Sequence, residues 1–192
     1  MHQATLTIRG EHRAFGAMLH ALVAILDDLA DRGGQPDFEL LQAMLDYVDR
    51  FPDRYHHAKE DEYLFRLLAP RAPDARQLLD ALETEHFHNG ALMAGLRRSF
   101  ERLRLNPRER KRLLLFRDLA NRYARFHWNH MRLEEEQVLP LAEARLTEED
   151  WAEIDVAFAS NNDPLIGLEA KTHFDDLRRR IVNLAPAPIG LA

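Results

Sequence analysis

Two short stretches hold the residue types that could do chemistry: His56-His57-Ala58-Lys59-Glu60-Asp61-Glu62 and His130-Met131-Arg132-Leu133-Glu134-Glu135-Glu136. In each, a His is followed by a Glu four residues on. On an α-helix that spacing puts both side chains on one face, a single turn apart. An imidazole and a carboxylate so placed are a ready pair of metal ligands. His12 and His86 extend the pattern. His12 and His86, His56 and His130, and Glu60 and Glu134 each stand 74 residues apart, as do Glu11 and Glu85. The apolar pairs Leu19/Met93, Leu22/Leu96, Leu41/Leu115 and Leu45/Leu119 share the offset. The chain reads as an internal duplication, each half supplying one His and then a His-x-x-x-Glu pair.

Gathered in one place, four His and two Glu are not an ordinary core, because buried carboxylates without partners are costly. Two cations would offset that cost. If each Glu bridges both, the protein supplies four nitrogens and four oxygens. Two five- or six-coordinate metals want about ten to twelve donors. About two to four positions remain for water, hydroxide, an oxo or hydroxo bridge, or a small ligand. Imidazole mixed with carboxylate favours iron, with manganese or zinc compatible. The competing reading is a metal-free bundle in which the histidines form salt bridges with the Glu residues. A lone His-x-x-x-Glu would read that way; the duplication favours metal.

The elements that must position these residues are helices. Helix A is expected from about Thr5 to Asp31, with Leu19, Leu22, Val23, Leu26 and Leu29 at three- and four-residue spacing. Gly33-Gly34 ends it, and Pro36 suits the first position of helix B. Helix B runs to about Ala69, with a kink or break at Phe51-Pro52. Pro70 and Pro73 bracket the next turn. Helix C covers about Asp74 to Leu105. Asn106-Pro107-Arg108-Glu109 reads as the capped start of helix D, which continues to about Ala144. In antiparallel hairpins, residues at one height lie equally far from the turn. The midpoints of His12/His56, His56/His86 and His86/His130 fall at 34, 71 and 108, each on a turn signal. The fold class expected is therefore all-α, an up-down-up-down four-helix bundle with all four histidines at one level. It occupies residues 1–145, and a short helical extension, 146–192, is expected to pack on it. Thr147-Glu148-Glu149-Asp150 opens a helix to about Ala159, and a last helix spans about Lys171 to Val182.

With 192 residues, 46% of them hydrophobic and 30% charged, the chain suits one soluble domain. A net charge of −6 gives no general pull toward nucleic acid or anionic membranes. The sequence contains no cysteine, which excludes disulfides and cysteine-ligated clusters. No basic segment followed by an apolar run opens the chain, and the longest apolar run, Ala21 to Leu26, is too short for a membrane span. A cytoplasmic location is expected. The eight basic residues between Arg97 and Arg112 read as a solvated hairpin tip.

Glu-His at 11–12, His56-x-x-x-Glu60 before Leu64-Phe65, Glu-His at 85–86, and His130-x-x-x-Glu134-Glu135 before Leu139-Pro140 resemble the hemerythrin-like (HHE) cation-binding domains over roughly residues 5 to 145. The resemblance implies a non-haem di-iron centre inside a four-helix bundle. Such centres bind or sense oxygen, handle nitric oxide or peroxide, or serve iron homeostasis and iron–sulfur repair. Two departures stand out. The oxygen carriers have a second His four residues after the third-helix His, where this chain has Gly90. The symmetric set of four His and two Glu is more similar to the iron–sulfur-repair proteins, yet their N-terminal Cys-containing segment is missing.

The metal ligands expected are thus His12, His56, Glu60, His86, His130 and Glu134. His57 adjoins His56 and pairs with Asp61 by spacing, but the offset maps it onto Met131, so His56 is preferred. His127 precedes His130 by three residues and is expected beside the site rather than in it. His2, His20, His88 and His173 read as surface or packing residues, and Tyr55, Phe15, Phe87 and Phe126 mostly as core. Two functions follow. One is a redox-active di-iron protein that binds or reduces oxygen, nitric oxide or peroxide, in stress defence or iron–sulfur repair. The other is a non-catalytic metal module for iron storage or redox sensing. The partner expected is the small ligand, with neither nucleic acid nor membrane; a homodimer is compatible, and the sequence names no electron donor.

Overall fold

Where the chain turns, it turns on residues that end helices. The computed structural model describes residues 2–51 and 56–159. Helix α1, Gln3–Arg32, stops where Gly33 takes φ 79° and its N–H reaches Leu29 O at 3.1 Å. Gly34 follows with φ 120°, another conformation costly for any residue with a Cβ. Helix α2, Phe38–Phe51, starts behind Asp37, whose Oδ1 accepts the Leu40 N–H at 3.0 Å. Pro36 therefore lies ahead of the helix and not at its first position, because Asp37 supplies the cap. Helix α3 comprises His57–Lys59, a π-helical stretch Glu60–Phe65, and Arg66–Leu68. A 3₁₀ turn, Pro73–Ala75, leads into α4, Arg76–Leu105. Helix α5 comprises Arg110–Leu133, a second π-helical stretch Glu134–Val138, and Leu139–Arg145. Helix α6 is Glu148–Ala159. No strand occurs among the described residues.

The order and packing of these helices are those of an all-α, up-down-up-down bundle. Helix α1 packs on α2 and α5, α4 packs on α5 and α2, and α6 lies across α1 and the first π stretch. Two apolar clusters fill the interior. One joins Phe15, Leu19, Leu22 and Leu26 to Met44, Val48, Phe100 and Phe116. The other joins Ile8, Leu64, Phe65 and Leu68 to Leu79, Leu82, Leu139, Trp151 and Phe158. The His and Glu residues of the duplicated motif fall between them, so both ends of the site are plugged by hydrocarbon. Thr147 and Asp150 cap α6 as expected: Asp150 Oδ2 accepts from Thr147 N at 2.8 Å and from Thr147 Oγ1 at 2.9 Å. The break expected at Pro52 and the last helix lie outside the described residues, although Phe51 does end α2.

Three further expectations need correction. Asn106 closes α4, and the residue ahead of α5 is Glu109, whose side chain makes no cap; its N–H bonds Asn106 O at 3.1 Å, so the tip is a tight turn. The pair Leu41/Leu115 is not equivalent, since Leu41 is buried while Leu115 is 47% exposed, although Leu45 and Leu119 pack in one apolar cluster. The buried seam of α2, Leu40, Met44, Tyr47 and Val48, corresponds instead to Phe116, Ala120, Tyr123 and Ala124. Those pairs stand 76 residues apart, so the first half holds two extra residues between Val48 and His56, the interval that contains Pro52. Phe87 is 84% exposed and does not belong to the core, because His86 takes the inward position of that turn.

Candidate metal centre

Each half of the duplication delivers its His-x-x-x-Glu pair at the onset of a π-helical stretch, which begins at Glu60 in α3 and at Glu134 in α5. Such wider turns recur at functional sites. All six predicted residues are buried: His12, His56, Glu60, His86, His130 and Glu134. The structure brings all six together.

The imidazoles meet in two pairs. His12 Nε2 lies 2.9 Å from His56 Nε2, and His86 Nε2 lies 2.9 Å from His130 Nε2. Each Nδ1 is held from behind by a carboxylate. His12 Nδ1 meets Glu135 Oε1 at 3.0 Å, and His56 Nδ1 meets Glu11 Oε2 at 2.7 Å. His86 Nδ1 meets Asp61 Oδ1 at 2.7 Å, and His130 Nδ1 meets Glu85 Oε2 at 2.8 Å. A carboxylate only accepts, so every Nδ1 donates. In the neutral rings both Nε2 lone pairs of each pair then point at the same small volume, as two ligands of one cation would. The four supporting carboxylates obey the offset too: Glu11 matches Glu85, and Asp61 matches Glu135. Spacing along the sequence pairs Asp61 with His57, but in the fold it supports His86 on the next helix.

Glu60 and Glu134 complete the arrangement. Glu60 Oε1 faces His56 Nε2 at 3.1 Å and His12 Nε2 at 3.9 Å, while Oε2 faces His86 Nε2 at 3.7 Å. Glu134 Oε2 faces His12 Nε2 at 3.3 Å, while Oε1 faces His130 Nε2 at 3.2 Å and His86 Nε2 at 3.7 Å. Each carboxylate thus turns one oxygen toward each imidazole pair. None of these four buried oxygens accepts a hydrogen bond of good geometry. Buried carboxylate oxygens without donors, beside converging imidazole lone pairs, fit a cation as the missing partner. Two sets of side chains have ligand atoms within 4.8 Å of one another: His12, His56, Glu60 and Glu134, and His57, Glu60, His86 and His130.

Without metal, protons take the cation's place. Burial opposes charging His56, but Glu60 and Glu11 outweigh it and hold its pKa well above the usual range. Burial likewise opposes His86 and His130, yet Asp61 and Glu134 lift the first to about 9, and Glu134 and Glu85 lift the second to about 10. Burial would raise Glu134, but His130, His12 and His86 hold it well below the carboxylate range.

Two further histidines lie at the site. His57 is buried and stacks on His86 with centroids 4.1 Å apart. It joins His56 inside instead of replacing it, and the buried Met131 at its offset position was the signal. His127 is buried against Phe15 and Tyr123 and meets Asn89 Oδ1 at 2.9 Å. Burial, with His130 and His86 nearby, pushes its pKa well below the usual range. Asn89 is the inward residue of its turn, and Gly90 is exposed with open space around it. A cavity of about 10 Å³ is lined by Glu11, His12, His56, His57, His127 and His130 together with Phe15 and Met131. An outer groove of about 420 Å³, lined by Arg13, Gly16, His20, Trp128 and Glu135, reaches His12 and Met131 from solvent.

A four-helix bundle with buried imidazoles and carboxylates converging at mid-height defines a metal-binding helical protein. The chain belongs to the hemerythrin HHE cation binding domain family, whose model matches residues 4–142. No curated protein matches it. No helix of the described residues is long and apolar enough to cross a membrane.

Proposed function

We propose that this chain is a non-haem di-iron protein of the cytoplasm that binds or reduces a small ligand such as oxygen, nitric oxide or peroxide, in defence against oxidative or nitrosative stress or in iron–sulfur repair. One observation carries the reading: Glu60 and Glu134 each turn one oxygen to each imidazole pair. His12 and His56 with Glu60 Oε1 and Glu134 Oε2 would hold one cation. His86 and His130 with Glu60 Oε2 and Glu134 Oε1 would hold the other, with His57 near enough to add an imidazole. The mixed nitrogen and oxygen donors suit iron. Iron there would supply a redox-active Lewis acid with positions open to a small ligand.

The chain's own residues do the rest. Glu11, Asp61, Glu85 and Glu135 orient the four rings and leave Nε2 free to bind. The two apolar clusters keep bulk water out, and the cavity beside the imidazoles admits a group of about one water's size. That cavity supports ligand chemistry over storage alone. The test is metal analysis with optical spectra of the protein as isolated, followed by stopped-flow mixing of the reduced protein with oxygen. The expected result is about two irons per chain and irreversible oxidation to the di-ferric state. A colourless, zinc-filled or empty protein would overturn the di-iron reading. A spectrum that reverses as oxygen pressure falls would show a carrier instead.

A further inference from the structure

One residue lining the cavity has a polar atom with no task in the metal centre. His127 is 1% exposed and belongs to neither of the two His/carboxylate sets. Its Nε2 lies 2.9 Å from Asn89 Oδ1. An amide oxygen cannot donate, so Nε2 carries the ring's hydrogen and Nδ1 is a bare lone pair. That Nδ1 is buried and accepts no hydrogen bond from the protein. Phe15 and Phe126 stand edge-on to the ring at 5.1 Å, and Tyr123 lies at 4.4 Å with its hydroxyl bonded to Val48 O. The ring is fixed, desolvated and still short of a donor, and it lines the cavity shared with His12, His56 and His130.

We propose that His127 is a ligand-positioning residue for hydrogen peroxide, the class of small oxygen ligand that carries its own O–H. The ligand's hydrogen bonds His127 Nδ1 while its other oxygen faces the imidazole pairs. Oxygen and nitric oxide have no hydrogen to give, so the lone pair selects the protic ligand over both. The cavity is only about 10 Å³ and is lined in part by Phe15 and Met131, so hydrogen peroxide, the smallest hydroperoxide, is favoured, with its second oxygen extending toward the imidazole pairs. The inference rests on the metal-centre reading for the site that the ligand faces, but the state of His127 itself can be read without metal.

The test has two parts. Nitrogen-15 NMR of the full chain, both metal-free and zinc-loaded, should find His127 protonated at Nε2 and bare at Nδ1. Adding hydrogen peroxide to the zinc-loaded protein should move the Nδ1 signal and give a dissociation constant. In His127→Phe that constant should weaken about tenfold relative to any change in nitric oxide affinity of the ferrous protein. His127→Asn, whose amide oxygen falls near the position of Nδ1, should recover most of the loss. Metal content is measured on every sample. A proton on Nδ1, with or without metal, overturns the inference. So does a His127→Phe protein that keeps its metal and its peroxide affinity, or one that loses peroxide, nitric oxide and metal together, which would make His127 structural. A wild-type chain that takes up no metal overturns the underlying metal-centre reading, and the inference with it.

Discussion

The four paired imidazoles, those of His12, His56, His86 and His130, are each aimed by a carboxylate from a neighbouring helix. Glu11 of α1 holds His56 of α3, Asp61 of α3 holds His86 of α4, Glu85 of α4 holds His130 of α5, and Glu135 of α5 holds His12 of α1. The ring of supports closes on itself, so a change at one helix reaches a ligand on the next. Removing such a partner typically lowers metal affinity about 10- to 100-fold. Asp61→Ala and Glu135→Ala are counterparts under the duplication and should each weaken affinity by roughly that factor in a chelator competition. A full effect at one and none at the other would deny that the halves are equivalent. The same groups set the pH behaviour of the metal-free protein. His86 and His130 are raised to about 9 and about 10 from an unfolded value of 6.5. A raised folded pKa contributes stability that is whole below 6.5 and is lost as pH climbs through 9 to 10. Denaturant titrations of chelated protein should therefore show stability falling across that window. Metal affinity should rise across it, because a cation must displace those protons. Constant apo stability from pH 6.5 to 10 would contradict the protonated cluster.

At the scale of elements, the duplication made the six residues legible, because spacing and turn position are both properties of sequence. What stayed hidden depends on helix phase. The π-helical stretches at Glu60 and Glu134 widen the turn, so neighbours such as Glu60 and Asp61 serve different helices. The two extra residues ahead of His56 break the match of the apolar seams, and only burial reveals it. His57 sits inside with His56 for a reason that the offset contained, since Met131 is buried too. The Nδ1 partners could not be read at all, because they cross between helices, where no fixed spacing applies. Helix α6 is a further element whose role spacing did not disclose. Its Phe158 stands edge-on to His56 at 6.4 Å, and its Ala157 O accepts Lys59 Nζ at 2.7 Å. Asp150 anchors it through the Thr147 cap and through Arg71 at 2.6 Å. Asp150→Ala should cost about 0.5 to 2 kcal/mol, the usual loss for a helix cap. Urea unfolding would measure it, and an unchanged midpoint would show that α6 is held by its Trp151, Ile154 and Phe158 contacts alone.

At the scale of the whole molecule, a polar layer lies between two apolar ones. The hydrocarbon on both sides stabilises the bundle by burial, while the layer between concentrates four buried imidazoles and two buried carboxylates. Protons settle that layer poorly, because charging both rings of a pair sets two positive imidazoles against each other across 2.9 Å. A cation at each pair would satisfy both nitrogens and the facing carboxylate oxygens together. A metal held by these converging side chains would bind the folded chain in preference to the unfolded one and add stability by mass action, about 2.7 kcal/mol at a hundredfold excess over Kd. A chain of this length gains about 2–4 °C per kcal/mol, so metal should raise Tm by about 5–10 °C. Glu60 is the residue that separates this from unspecific binding, since it is 0% exposed and gives one oxygen to each pair. Glu60→Ala therefore weakens both sets at once. The variant should lose most of its metal, and its Tm should no longer rise with added metal, measured by calorimetry at matched concentrations. An equal rise in variant and wild type would mean that Glu60 is not shared between two cations, and the two-metal reading would fall with it.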